Sequence, residues 1–225
     1  MADTAERDAV TKKRSAKTAS AGAAIPADLP ESQRRILDAA VVAFAETGFA
    51  GTATNEIARR AGVAEGTIFR YYPTKKALLI AAVGLLIKAM TPVVRAGLER
   101  LMNHDYGSVE EFVREVAVDR LAFAREHTTL VRLIVQEIPF HPELREKFRE
   151  TALAVAYPLL LRAVTRMQER GLMAPIDPSS AARMILSVVM GFVLARVFIS
   201  PDAQWDDEAE LDTMARVLGR GLAPA

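Results

Sequence analysis

The chain contains no cysteine, which removes disulfides, thiolate metal sites and a cysteine nucleophile together and suits a reducing compartment. Its three histidines, His104, His127 and His141, are scattered, with neither metal-ligand spacing nor a partnered carboxylate motif. No glycine-rich phosphate loop, activated serine or zinc signature is present, so no metal, no cofactor and no catalysis are expected. The N-terminus lacks the apolar core of a signal peptide, and no uncharged apolar run reaches roughly 18 residues, Ile185 to Leu194 being too short. Neither export nor a membrane span is therefore expected, and the cytoplasm is the expected compartment. Strand-like alternation is missing as well. Nor is charge of one sign in excess: the net charge is +1, so affinity for a polyanion has to come from local clusters of Arg and Lys.

What is present is apolar residue in helical rhythm. The hydrophobic share of 51% is ample for a buried core, and 225 residues lie between one domain and two. Residues 1–29 are rich in Ala, Thr and Ser, carry Lys12-Lys13-Arg14 and Lys17, and show no apolar periodicity, which predicts a disordered basic tail. From Glu31 the pattern changes. Ile36, Leu37, Ala40, Val41, Phe44 and Ala45 repeat at helical spacing and Gly48 is the expected stop, with Phe49 anchoring this helix beneath the next two.

Thr52 to Leu79 is the most informative stretch. Thr54 is the expected N-cap of a short helix whose apolar residues are Ile57, Ala58 and Ala61. Gly62 ends it in a left-handed conformation, and Val63 is expected to plug between the two helices. In the second helix Ile68 and Tyr72 fall on one side, leaving Glu65, Gly66, Thr67, Arg70 and Tyr71 pointing out. A glycine near an exposed helix start permits close approach, free N–H groups favour an anion, and Thr67, Arg70 and Tyr71 add phosphate donors. This is a helix-turn-helix with a recognition helix fit for a major groove. Pro73 stops that helix and Thr74 caps the next, where the helix dipole disfavours Lys75 and Lys76 unless a phosphate lies near.

The stretch closely resembles the DNA-binding domain of the TetR (tetracycline-repressor-like) family. The resemblance rests on Thr52-x-Thr54-x-x-Ile57-Ala58, Ala61-Gly62-Val63, Gly66-Thr67-Ile68-Phe69, Tyr71-Tyr72 and Lys75-x-x-Leu78-Leu79 and covers residues 32–80. It implies an all-α homodimeric repressor of double-stranded operator DNA. Contacts would come from Thr52, Thr54, Glu65, Gly66, Thr67, Phe69, Arg70, Tyr71 and Lys75, mostly with phosphates. Glu65 and Gly66 would lie near base edges. Glu65 departs from the basic or small residue easiest to place there, and its carboxylate either accepts from a cytosine N4 donor or points away. Ala64 stands where a hydroxyl cap is usual.

The expected domains are 30–76, reading DNA, and 77–225, binding effector and dimerising. Lys76 onward continues as a connecting rod that Pro92 should kink or break and Gly84 weaken. Further helices are expected at Ser108–His127 with a Ser108/Glu111 capping box, at Leu130–Ile138 capped by Thr128 or Thr129, and from His141 to Arg170 with a kink at Pro158 and a stop at Gly171. A helix from Asp177 to Ile199 and another from Asp206 to Leu218, stopping at Gly219, complete the chain. Met90, Phe112, Phe123, Phe148, Tyr157 and Met167 are the candidate lining of a hydrophobic effector cavity, Tyr157 its polar handle. Met184, Val188, Gly191, Ala195 and Phe198, with Leu211, Met214, Val217 and Leu218, are the candidate surface for a two-fold four-helix interface. The competing reading is a helical module that binds a hydrophobic ligand and no DNA.

Overall fold

The computed structural model describes residues 28–224, so the basic cluster of the expected tail lies outside the described residues. Every regular element among them is helical: α1 Glu31–Gly51, α2 Thr54–Ala61, α3 Glu65–Tyr71, α4 Lys75–Asn103, α5 Val109–Glu126, α6 Thr128–Glu137 and α7 Pro142–Phe148. A π-helical turn, Arg149–Leu153, leads into α8 Ala154–Glu169; α9 Pro178–Leu194 runs into a second π turn, Ala195–Ile199; and α10 Asp207–Leu222 ends the chain.

These helices form two compact units. The first gathers residues up to Thr91 with Thr129–Thr151, the second Pro92–Thr128 with Ala152–Ala225. These compact units do not divide at residue 76, because the chain returns to the first unit to place α6 and α7 there. In that unit α2 packs on α1 and α3 on α2, over a core that includes Ile36, Leu37, Phe44, Ile57, Ile68, Leu78, Leu79, Leu133 and Leu144. Gly48 interrupts α1 with φ +71° and ψ 171°, as its role as a stop requires. Gly62 takes φ +64° and ends α2, its N–H donating to Arg59 O (3.3 Å) while Val63 N–H reaches Ala58 O (3.0 Å). That bonding is a Schellman motif.

In the second unit α10 lies along α5, and α9 packs on α5 and α8. Caps set the helix starts: Ser108 Oγ accepts the Glu111 N–H at 3.1 Å, Asp177 accepts the Ser180 N–H at 2.7 Å, and Asp206 accepts those of Glu208 and Ala209. Glu111 in return accepts the N–H of Gly107, not of Ser108. Ion pairs tie α10 to α5, Arg114 reaching Asp212 (2.6 Å) and Glu208 (2.5 Å), and Arg125 reaching Asp207 (2.5 Å).

Several local expectations are corrected. Helix α4 runs unbroken through Pro92. Gly84 is a place of close approach, since a Cβ there would stand 2.9 Å from Lys147 Cδ. Thr128 does not cap α6; its hydroxyl donates back to Arg125 O at 2.8 Å. Helix α10 continues past Gly219 to Leu222. Finally, Lys75–Asn103 and Pro178–Ile199 are each long and apolar enough to cross a membrane by length and composition. In the first of these, Leu78, Leu79, Ala82, Val83, Leu86 and Ile87 are core residues.

Candidate nucleic-acid interface

The geometry of the first unit is set by the corner between α1 and α2. Thr52, expected to touch DNA, is only 2% exposed, and its hydroxyl lies 2.7 Å from Gly48 O and 2.7 Å from Thr47 Oγ1. The Thr52 hydroxyl thus closes the corner and is spent inside the fold. Thr54 does not cap α2 either: Ala53 holds that position without a side-chain bond, and Thr54 is the first helical residue. Thr54 is half-buried, and its hydroxyl donates to the Glu65 carboxylate at the surface, linking the start of α2 to the start of α3.

Helix α3 divides as its spacing predicts. Ile68 and Tyr72 are buried, and the Tyr72 hydroxyl accepts from Gln33 Nε2 at 3.0 Å while burial pushes its pKa up. Val63 is half-buried, less than a plug. On the other side Glu65, Gly66, Phe69 and Arg70 are exposed, with Thr67 and Tyr71 partly so. A Cβ at Gly66 would meet nothing within 4 Å, so no contact inside this chain requires a glycine there. The Arg70 guanidinium lies 5.2 Å from the centre of the Tyr71 ring. The Tyr71 hydroxyl sits 3.1 Å from Ser32 Oγ, and this bond, with Arg70 beside it, holds the phenol pKa below its ordinary value. Ser32 and Gln33, in the first turn of α1, thus steady the tyrosine pair; nothing in the local pattern near Tyr71 points to them.

Lys75 and Lys76 find partners within the unit, where a phosphate had been expected. Lys75 Nζ donates to Thr52 O at 2.9 Å and lies 4.5 Å from the Phe49 ring centre. Lys76 pairs with Glu143 of α7 at 2.6 Å, and that lysine holds the Glu143 carboxyl below its usual range. Arg60 pairs with Glu46 (2.8 Å) and Glu56 (2.5 Å), fastening α2 to α1. Arg59 and Arg70 are exposed as well, Arg70 beside the Tyr71 ring.

Residues 36–82 match the family described as bacterial regulatory proteins, tetR family, and residues 113–218 match the C-terminal domain of AefR-like transcriptional repressors. The chain belongs to the TetR family. It is a DNA-binding transcriptional regulator and not an enzyme, and the ligand-module reading without DNA binding is not favoured. Among relatives, the Bacillus subtilis regulator YvkB is 21% identical over 168 residues, 75% of this chain and 84% of that protein. The repressor KstR of Mycolicibacterium smegmatis is 41% identical over 54 residues, 24% of this chain and 26% of that protein. A solved structure of Bacillus subtilis FadR in complex with stearoyl-CoA superposes with a TM-score of 0.62 at 24% identity, over 84% of this chain and 98% of that one.

For this TetR-family chain, the residues expected to line an effector cavity fall in different surroundings. Phe112 is fully buried and packs edge-on against Tyr106 at 5.2 Å, and Met167 is buried too. Phe123 is half-buried between His127 (4.5 Å) and the Arg120 guanidinium (5.1 Å), and Tyr157 is half-buried beside exposed Pro158. Met90 and Phe148 belong to the first unit, so the structure does not gather the set in one. The residues expected at a dimer interface also divide. Leu211 and Leu218 are buried in the core of the chain itself, which leaves them little surface to offer a second copy. Met184, Val188 and Gly191 are exposed, whereas Ala195, Phe198 and Met214 are half-buried.

Proposed function

We propose that this regulator is a cytoplasmic homodimeric repressor that binds a pseudo-palindromic operator through α3 and lets go when a small hydrophobic effector enters its second unit. The observation that carries the reading is the division of α3: Ile68 and Tyr72 are buried, while Gly66, Thr67, Phe69, Arg70 and Tyr71 form an outward face that meets the rest of the fold through the Tyr71 hydroxyl at Ser32. Thr54 and Glu65 border this face, and Lys75, an ammonium with three donors, keeps some for phosphate beyond its bond to Thr52. FadR bound to stearoyl-CoA supports an effector with a long apolar part. Met184, Val188, Gly191, Ala195, Phe198, Met214 and Val217 supply the dimer surface, and release is a population shift toward a spacing of the reading heads that fits DNA poorly.

The test is a mobility shift on a duplex selected by the protein from a random library, repeated across a salt series. Arg70→Ala is expected to weaken binding and to lower the slope of log affinity against log salt by about 1. Gly66→Leu is expected to abolish specific binding with the fold intact, since only an outside surface opposes its side chain. Wild-type affinity in both variants would remove α3 from the interface.

A further inference from the structure

Two titratable residues in the first unit are buried, distant in sequence from the helix-turn-helix, and absent from the recognition described above. Glu137, at the last position of α6, is 4% exposed, and His141, just before α7, is 8% exposed. His141 Nε2 lies 3.3 Å from Glu137 Oε2. The other carboxylate oxygen, Oε1, accepts the backbone N–H of Phe49 at 2.9 Å. The His141 ring meets the Phe49 ring edge-on at 4.9 Å. Phe49 is the residue after Gly48, the left-handed break in α1, and a Cβ on Gly48 would itself stand 3.9 Å from Glu137 Oε1.

We infer that Glu137 and His141 are positioning residues for DNA recognition: their paired side chains hold the Gly48-Phe49 corner at the angle that presents α2 and α3 to the duplex. The inference rests on the DNA-reading role of the first unit. Helix α1 is broken at Gly48, so the half-buried Phe49 N–H needs an acceptor from outside the helical ladder. Glu137 supplies the acceptor. The Phe49 ring then carries Lys75 above it, and Lys75 in turn bonds the carbonyl of Thr52, so the same corner is held from α6 and from α4. A carboxylate buried beside a histidine and an N–H is a costly arrangement that plain core packing does not need. A role as acceptor for one particular N–H explains its place.

The full-length protein is tested by fluorescence anisotropy on its selected duplex, at a temperature where each variant is folded by circular dichroism. Glu137→Leu, which removes the acceptor, is expected to weaken specific binding roughly tenfold or more. Glu137→Gln, which keeps it, is expected to stay within about threefold of wild type. If Glu137→Leu does not fold, His141→Leu against His141→Gln supplies the same comparison, the glutamine retaining a donor for the carboxylate. Full binding by the leucine variant, or equal losses for leucine and glutamine, would overturn the positioning role. Failure of the wild-type protein to select any duplex would instead strike at the DNA-reading role of the first unit.

Discussion

At the scale of single residues, Tyr106 shows what a buried hydroxyl contributes and when that contribution fails. It is 3% exposed, its hydroxyl donates to Leu101 O at 3.0 Å, and its ring packs against Phe112. Burial, with the nearby carboxylates of Glu115, Glu111 and Asp119, pushes its pKa up to about 12. In the unfolded chain a tyrosine titrates near pH ~10, so the folded state holds this proton more tightly. The resulting stabilisation is full below that unfolded value and is lost as pH rises through about 12. Tyr106→Phe is expected to cost about 0.5–1.5 kcal/mol at neutral pH through the missing bond. It should also lose less stability than wild type between neutral pH and the upper end of that window. Denaturant titrations of both proteins at each pH check this, since every other titrating group, Tyr72 included, is common to both. Equal alkaline losses would mean that the Tyr106 hydroxyl is not buried in solution.

At the scale of helices, what was legible in the sequence is what local chemistry decides. Ser108, Asp177 and Asp206 accept first-turn N–H groups within three residues of themselves, and Gly62 and Gly171 adopt the positive φ that ends a helix. The two sides of α3 follow from spacing alone, so its division into a buried and an exposed side was readable. Contacts made by distant parts of the chain were not. Thr52 stands in a pattern that suits an exposed donor, but its hydroxyl is enclosed by Thr47 and the broken end of α1. Glu137 meets Phe49 across 88 positions, and no periodicity marks that pairing. Gly219 likewise looks like a stop because it follows an apolar stripe, whereas it lies inside α10, where a Cβ would stand 2.9 Å from Glu110 Cβ and 3.1 Å from the Glu110 backbone. Gly219→Ala is therefore expected to destabilise the protein by about 1–3 kcal/mol through overpacking of α10 on the first turn of α5. Gly221→Ala in the same helix meets nothing within 4 Å and is expected to be neutral or mildly stabilising. Chemical denaturation of the pair decides the matter. If the two alanines behave alike, α10 does not approach α5 as closely as the structure has it.

At the scale of the whole molecule, the unanswered demand is the outer side of α9. Its inward stripe, Ala182, Ile185, Val189 and Val193, is buried, yet Met184 remains 51% exposed and Val188 41%, and Val217 on α10 is 66% exposed. Apolar side chains at helical spacing on neighbouring helices form a surface that water penalises, and a second copy of the same surface would cover it. Gly191 lies on that side, and a Cβ there would meet nothing within 4 Å in its own protomer. In an isolated protomer, then, Gly191→Ala should stabilise by roughly 0.8–1 kcal/mol through helix propensity alone, and even Gly191→Leu should fold normally. Against a partner, the same leucine would hold the two α9 helices apart. Gly191→Leu is accordingly expected to show protomer mass by light scattering where wild type shows twice that mass, and its Tm should lose the concentration dependence of an associating protein. Affinity for a two-site operator should fall further than affinity for a half-site, because the linked pair of reading heads is what raises the former. A Gly191→Leu protein that stays dimeric and binds both duplexes as wild type does would move the dimer surface away from this helix.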